Sequence, residues 1–121
     1  MLLLYIAEGR RFDVDEIRAR WSVMAGVREL TEDAFACALE CEFHLEDDRV
    51  IVRLAQDHET VTLHGTGPAP QEFICRFRAV FGGELHLIDE SYSFDSLLPP
   101  TVSRQEILDL LIGSSPSDSA S

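Results

Sequence analysis

Between Glu40 and His64 the chain alternates apolar and polar residues with a period of two, as a strand with one buried face requires. Cys41, Phe43 and Leu45 alternate with Glu40, Glu42, His44 and Glu46. Val50, Val52 and Leu54 alternate with Arg49, Ile51 and Arg53, and Val61 and Leu63 with Thr60, Thr62 and His64. Polar breaks at Asp47-Asp48 and at 56–59 separate the runs. The pattern predicts a three-strand antiparallel meander. A two-residue loop at Asp47-Asp48 sets Leu45 opposite Val50, Phe43 opposite Val52 and Cys41 opposite Leu54. On the other face it sets Glu46 against Arg49 and Glu42 against Arg53, opposite charges that favour this pairing. A four-residue second loop sets Leu54 opposite Val61 and Arg53 opposite Thr62. A slip of one residue would exchange the two faces.

Around the meander the periodicity changes. Leu2 to Ala7 is apolar on both faces, which predicts a strand inside the sheet or covered on both sides. Asp13, with Glu16 three residues on, reads as an N-cap and a variant capping box. Val14, Ile17, Trp21 and Met24 then follow at helical spacing, predicting a helix to near Ala25 that stops at Gly26. Val27 to Leu30 has no clear period. Thr31, Glu32 and Asp33 resemble a helix start, with Phe35, Ala38 and Leu39 on the inner side of a short second helix. After Gly65–Pro70, the residues Phe73, Ile74, Phe77, Val80 and Phe81 form an apolar helical stripe, with Arg76 and Arg78 off it and Gly82-Gly83 as the stop. Leu85 to Ile88 reads as a fifth strand, parallel to the last meander strand if the two lie side by side or one apart. Asp89 to Asp95 then leaves the sheet, and Pro99-Pro100 forces an extended path. Ser103 with Glu106 is a capping box for a last helix with Ile107, Leu108, Leu111 and Ile112 on its apolar face.

The expected fold is α+β: a two-layer sandwich with a mixed sheet of about five strands, a central antiparallel meander and helices on one face, in the order β-α-α-β-β-β-α-β-α. Residues 1–112 form the single globular domain and 113–121 a disordered Ser-rich tail. The other sheet face is then open and carries Glu40, Glu42, His44, Glu46, Arg49, Ile51, Arg53, Thr60, Thr62 and His64.

Composition narrows the function classes. A chain of 121 residues is one domain with one core. Leu2–Ala7 is too short and too poorly flanked for a membrane span or a signal peptide, so a cytoplasmic protein is expected. Cys37, Cys41 and Cys75 are an odd number and imply reduced, buried thiols rather than a disulfide framework. The net charge of −12 repels nucleic acid and anionic membranes and favours basic partners. All ten basic residues are arginine, with no lysine and no asparagine, a composition expected of a GC-rich, bacterial genome.

No catalytic or metal motif stands out. His44 and His64 flank Ile51 at roughly 10 Å, two strand spacings, too far apart for one Zn²⁺. His86, Asp89 and Glu90 cluster at a strand end but lack an anchoring H-x-x-x-H or C-x-x-C. Cys37-x-x-x-Cys41 crosses a predicted helix-to-strand junction, with no base to activate either thiol. Gly65-Thr66-Gly67-Pro68 lacks the remainder of a phosphate-binding loop, and its prolines remove backbone donors. The expectation is no cofactor and no metal.

Ile88 to Leu98 is the most distinctive segment, with acids around Tyr92 and Phe94. With the rings outward it would form an acidic recognition patch; with the rings inward it packs under the last helix, the favoured arrangement. The sequence therefore points to a small acidic protein-binding module, of immunity or inhibitor type, engaging a basic partner. Its candidate contacts are Asp89, Glu90, Tyr92, Phe94, Asp95, Glu42, His44 and Arg53. The alternatives are a metal-dependent or hydrolase-like enzyme using His86, Asp89 and Glu90, and a homodimeric accessory protein without catalysis.

Overall fold

The structure is a computed structural model that describes residues 1–7, 9–32, 37–65, 67–89, 91 and 94–113, with 112 and 113 as backbone alone. Among these residues the chain runs β1 (Leu2–Tyr5), α1 (Val14–Ser22), β2 (Val27–Glu32), β3 (Cys37–Leu45), β4 (Asp48–Ala55), β5 (Val61–His64), α2 (Pro68–Val80), β6 (His86–Asp89), β7 (Asp95–Leu97) and α3 (Arg104–Gly113). The strands form one open sheet in the order β2-β3-β4-β5-β1-β6-β7. The fold is α+β, and every hydrogen-bonded pair of neighbouring strands is antiparallel.

Three expectations are corrected. The sheet has seven strands rather than five, because Val27–Glu32 and Asp95–Leu97 add an edge on each side. It is antiparallel rather than mixed. β5 and β6 do run the same way, one apart as the crossover required, but β1 lies between them and is antiparallel to both. The predicted second helix is overturned at both ends: Thr31 and Glu32 pair as β2 with Glu40 and Leu39, while Ala38 and Leu39 belong to β3. A long neighbouring strand edge outweighs a short acidic start signal. Asp33 and Phe35 of that prediction lie outside the described residues.

The meander keeps its predicted faces but not its first register. Leu45 pairs with Asp48, Phe43 with Val50 and Cys41 with Val52, so the loop is Glu46-Asp47 and the pairing is shifted by two residues. A shift of two leaves every side chain on its own face. Glu46 adopts a left-handed φ of 54° to make the tight turn. The second register is as expected, with Leu54 opposite Val61 and Arg53 opposite Thr62.

One face of the sheet supplies the core. Leu39, Cys41, Phe43, Val50, Val52, Leu54, Val61, Leu63, Leu4 and Leu87 are buried together with Ile17 and Trp21 of α1, Phe73 and Phe77 of α2 and Ile107 of α3. Aromatic rings link the elements: Phe73 meets the edges of Trp21 at 5.8 Å and Phe43 at 5.5 Å, and stacks on Phe77 at 5.8 Å. Asp13 caps α1 by accepting from the Asp15 and Glu16 amides. Helix α1 ends at Ser22, earlier than expected, although Met24 beyond it is still buried. At α3 the Ser103–Glu106 box is reciprocal, with amide-to-side-chain distances of 2.9 and 3.1 Å.

Two devices were not visible in the periodicity. Asp48, at the start of β4, accepts a hydrogen bond from the Ala69 amide at 2.8 Å and so caps α2 from another element. Gly67 makes room for it, since a Cβ there would sit 2.4 Å from the Asp48 carboxylate. Arg78, although off the apolar stripe, is buried (7% exposed). It donates to the carbonyls of Phe81, Gly83 and Pro99 at 2.8–3.0 Å, joining the end of α2 to the segment before α3.

Candidate functional site

Alternation along the strands decides what the uncovered face presents. Opposite the core residues stand Glu40, Glu42 and His44 of β3, Arg49, Ile51 and Arg53 of β4, Thr62 and His64 of β5, Leu3 and Tyr5 of β1, His86 and Ile88 of β6, and Asp95 and Leu97 of β7. Most of these are half-buried or exposed, whereas the core side of the same strands is closed to solvent. This face has two halves of different chemistry.

The half on β3 and β4 is charged and internally matched. Glu42 Oε1 lies 2.9 Å from His44 Nε2 and 3.4 Å from Arg49 Nη1. The hydrogen bond from His44, assisted by the Arg49 charge, holds the Glu42 carboxyl below its ordinary value. Arg53 pairs with Glu40, at 3.5 Å, rather than with Glu42. That exchange of partners is the two-residue shift expressed in side chains. Glu42, His44 and Arg53 thus share one face of the sheet, without the direct Glu42–Arg53 pairing that the sequence led one to expect.

The half on β1, β6 and β7 is apolar and aromatic. Tyr5 stacks on His86 with ring centres 4.8 Å apart, and its hydroxyl donates to Asp95. His86 Nδ1 lies 3.3 Å from Asp95 Oδ1 and Nε2 lies 2.6 Å from Glu84 Oε2. Both imidazole nitrogens therefore already face a carboxylate. Beside this cluster opens a cavity of about 420 Å³, with Leu3, Ile88 and Tyr5 among its walls and Glu59 and Asp95 among its acids.

The predicted 89–95 patch is divided. Asp95 pairs with Ile88 on the uncovered face, whereas Asp89 pairs with Leu2 on the core side, where Ser91 donates to it at 3.1 Å. Phe94 packs against the core. Glu90 and Tyr92 lie outside the described residues. Asp95, expected to lie off the sheet with the rest of the segment, instead begins β7 (Asp95–Leu97). Arg53 on β4 and Asp95 on β7 are four strand spacings apart, roughly 19 Å, so the predicted contacts do not form one cluster.

The catalytic alternatives find little geometry. His86 and Asp89 are three apart on one strand and project from opposite faces. His64 pairs with Ile51, while His44 pairs with Arg49, two residues earlier in β4. Among the described residues no three His, Cys, Asp or Glu side chains are arranged to hold a metal ion. Cys37 and Cys41 lie on the same strand and the same buried side, not across a helix-strand junction. Burial pushes the Cys41 thiol up to about 12 and the Cys75 thiol up to about 11, the opposite of an activated nucleophile.

Tyr5, Glu59, Leu3 and Ile88 were not among the sequence candidates. The signal for Tyr5 was its hydroxyl in an otherwise aliphatic strand; Glu59 carried none, because a loop acid has no period. No described helix is long and apolar enough to cross a membrane. Comparison with known proteins gives no lead: no family model matches the chain, and no curated protein or solved structure is significantly similar to it.

Proposed function

We propose that the protein is a small, acidic, non-catalytic module that binds another protein through the uncovered face of its sheet. The observation that carries this reading is that face itself: seven strands wide, ordered by stacking and ion pairs, and turned away from the described helices, which pack on the core side. A two-layer domain with helices on one side alone would present such a face to solvent. The net charge of −12 favours a basic partner and disfavours nucleic acid and anionic membranes, so an immunity- or inhibitor-type role in the cytoplasm fits. Ion pairs made before binding hold their side chains in place, which lowers the entropy lost on association.

The test compares the tagged protein with a Thr62→Arg variant, which places a bulky cation at the centre of the face between Arg53 and Leu3. The expected result is recovery of one basic protein in near-equal amount with the wild type and its loss with the variant, at unchanged melting temperature. Retention of the partner by Thr62→Arg, or a wild type that sediments as a monomer and recovers nothing, would remove this reading.

A second reading, self-association, is favoured by one observation. β7, the last strand of the described sheet, exposes Leu97 (58%). Sedimentation as a concentration-dependent dimer that Leu97→Asp abolishes would favour it over the first.

A further inference from the structure

We infer that the cavity beside Tyr5 receives the side chain of an arginine contributed by the protein partner. This rests on the binding reading and names the chemistry by which the partner is recognised. The cavity measures about 420 Å³, within the range of pockets that hold compact ligands. Its walls include the aliphatic side chains of Leu3, Ala7 and Ile88, and its acids are Glu59 and Asp95. No basic side chain lines it among the described residues.

Each part selects against other occupants. A purely apolar group would desolvate two carboxylates and leave them without a counter-charge, a large penalty. An anion would meet those same carboxylates. An elongated cation with an apolar stem satisfies both components: the methylenes lie on Leu3 and Ile88 while the charge reaches the acids. Arginine suits the site better than lysine because its planar, weakly hydrated guanidinium can both stack on a ring and bond a carboxylate with two N–H groups. Tyr5 is prepared for stacking, since His86 holds one side of its ring and Asp95 holds its hydroxyl.

Glu59 and Asp95 have different roles in this arrangement. Asp95 is engaged with Tyr5 and His86 yet is 53% exposed, and a carboxylate has further acceptor positions. Glu59 is in the loop before β5 and makes no ion pair among the described residues, so its charge is available. Replacing Asp95 would loosen Tyr5 as well. Glu59→Gln therefore isolates the electrostatic contribution.

The experiment titrates the full-length, nitrogen-15-labelled chain with N-acetylarginine methylamide and, separately, with its neutral citrulline counterpart. Amide resonances of Leu3, Thr60 and Ile88 report on the cavity. The expected result is saturable shifts at these residues with the arginine probe alone, weakened about tenfold or more in Glu59→Gln and by added salt. No saturable shift, equal response to citrulline, or unchanged affinity in Glu59→Gln would overturn the proposal. A partner that binds the sheet face equally well in wild type and Glu59→Gln would also overturn it, while leaving the binding module intact.

Discussion

The two halves of the uncovered sheet face follow the same alternation and reach opposite results. On β3 and β4 the outward residues are charged and neutralise one another, Glu40 with Arg53 and Glu42 with Arg49 and His44. On β1, β6 and β7 they are aliphatic and aromatic, and among the described residues Glu59 and Asp95 at their margin meet no arginine. A charge-matched surface gains little from a partner, because its ions are already paired and must be desolvated again on binding. The apolar half keeps unsatisfied capacity: area to bury and charge to complement. Recognition is thus expected to be concentrated on β1, β6 and β7, with the charged half setting orientation.

The strongest test concerns what lies beneath. Both halves rest on one core, so Phe43→Ala under the charged half should cost about 3–5 kcal/mol and Leu4→Ala under the apolar half about 2–5 kcal/mol, by denaturant unfolding. A loss below about 1 kcal/mol for Leu4→Ala would mean that the apolar half is not built on the same core. Next comes the anchor of the charged half to α2. Gly67→Ala should cost about 0.5–2 kcal/mol by driving Asp48 off the Ala69 amide. In an Asp48→Ala background the same change should cost much less, and simple additivity in that cycle would contradict the capping role.

The third effect is smaller. If the charged half is self-satisfied at the surface, Arg53→Gln should change unfolding free energy by less than about 1 kcal/mol and leave the arginine probe's affinity untouched. A larger loss would make these ion pairs part of what holds the fold. The smallest effect is in acid. His44 and Arg49 lower the Glu42 value in the folded state, so its contribution to stability is present above the unfolded value of about 4.3 and is lost as pH falls through the folded value. Glu42→Gln should therefore flatten the decline in melting temperature below about pH 4.5. An unchanged decline would mean that the His44 contact does not persist in solution.

Much of this was legible in the residues, for identifiable reasons. A period of two is independent of register, so the faces of Cys41, Val52 and Leu63 were correct even where the first hairpin's pairing was two residues out. That error arose because opposite charges recur every second residue: Glu42 can face Arg53 or lie diagonal to Arg49, and turn geometry chooses. The edge strands were missed because an edge needs only one partner, and neither Val27–Glu32 nor Asp95–Leu97 buries an alternating stripe. Periodicity sets Arg78 off the apolar stripe because it reports charge and not the three carbonyls that surround the guanidinium in the fold. The cavity residues come from four separate stretches, so no local pattern could assemble Leu3, Glu59, Ile88 and Asp95.

The position of β1 has a kinetic consequence. Strands β3, β4 and β5 find one another across short turns, whereas Leu2 must meet Leu63 on one side and Asp89 on the other. Loop-closure entropy makes such contacts late. The meander should form the folding nucleus and the insertion of β1 should close the sheet. Truncation of Val52 would then slow folding, while Leu4→Ala would chiefly speed unfolding in stopped-flow measurements. Because the inferred recognition cavity is built on β1, the chain would gain its binding surface only in the last step of becoming native.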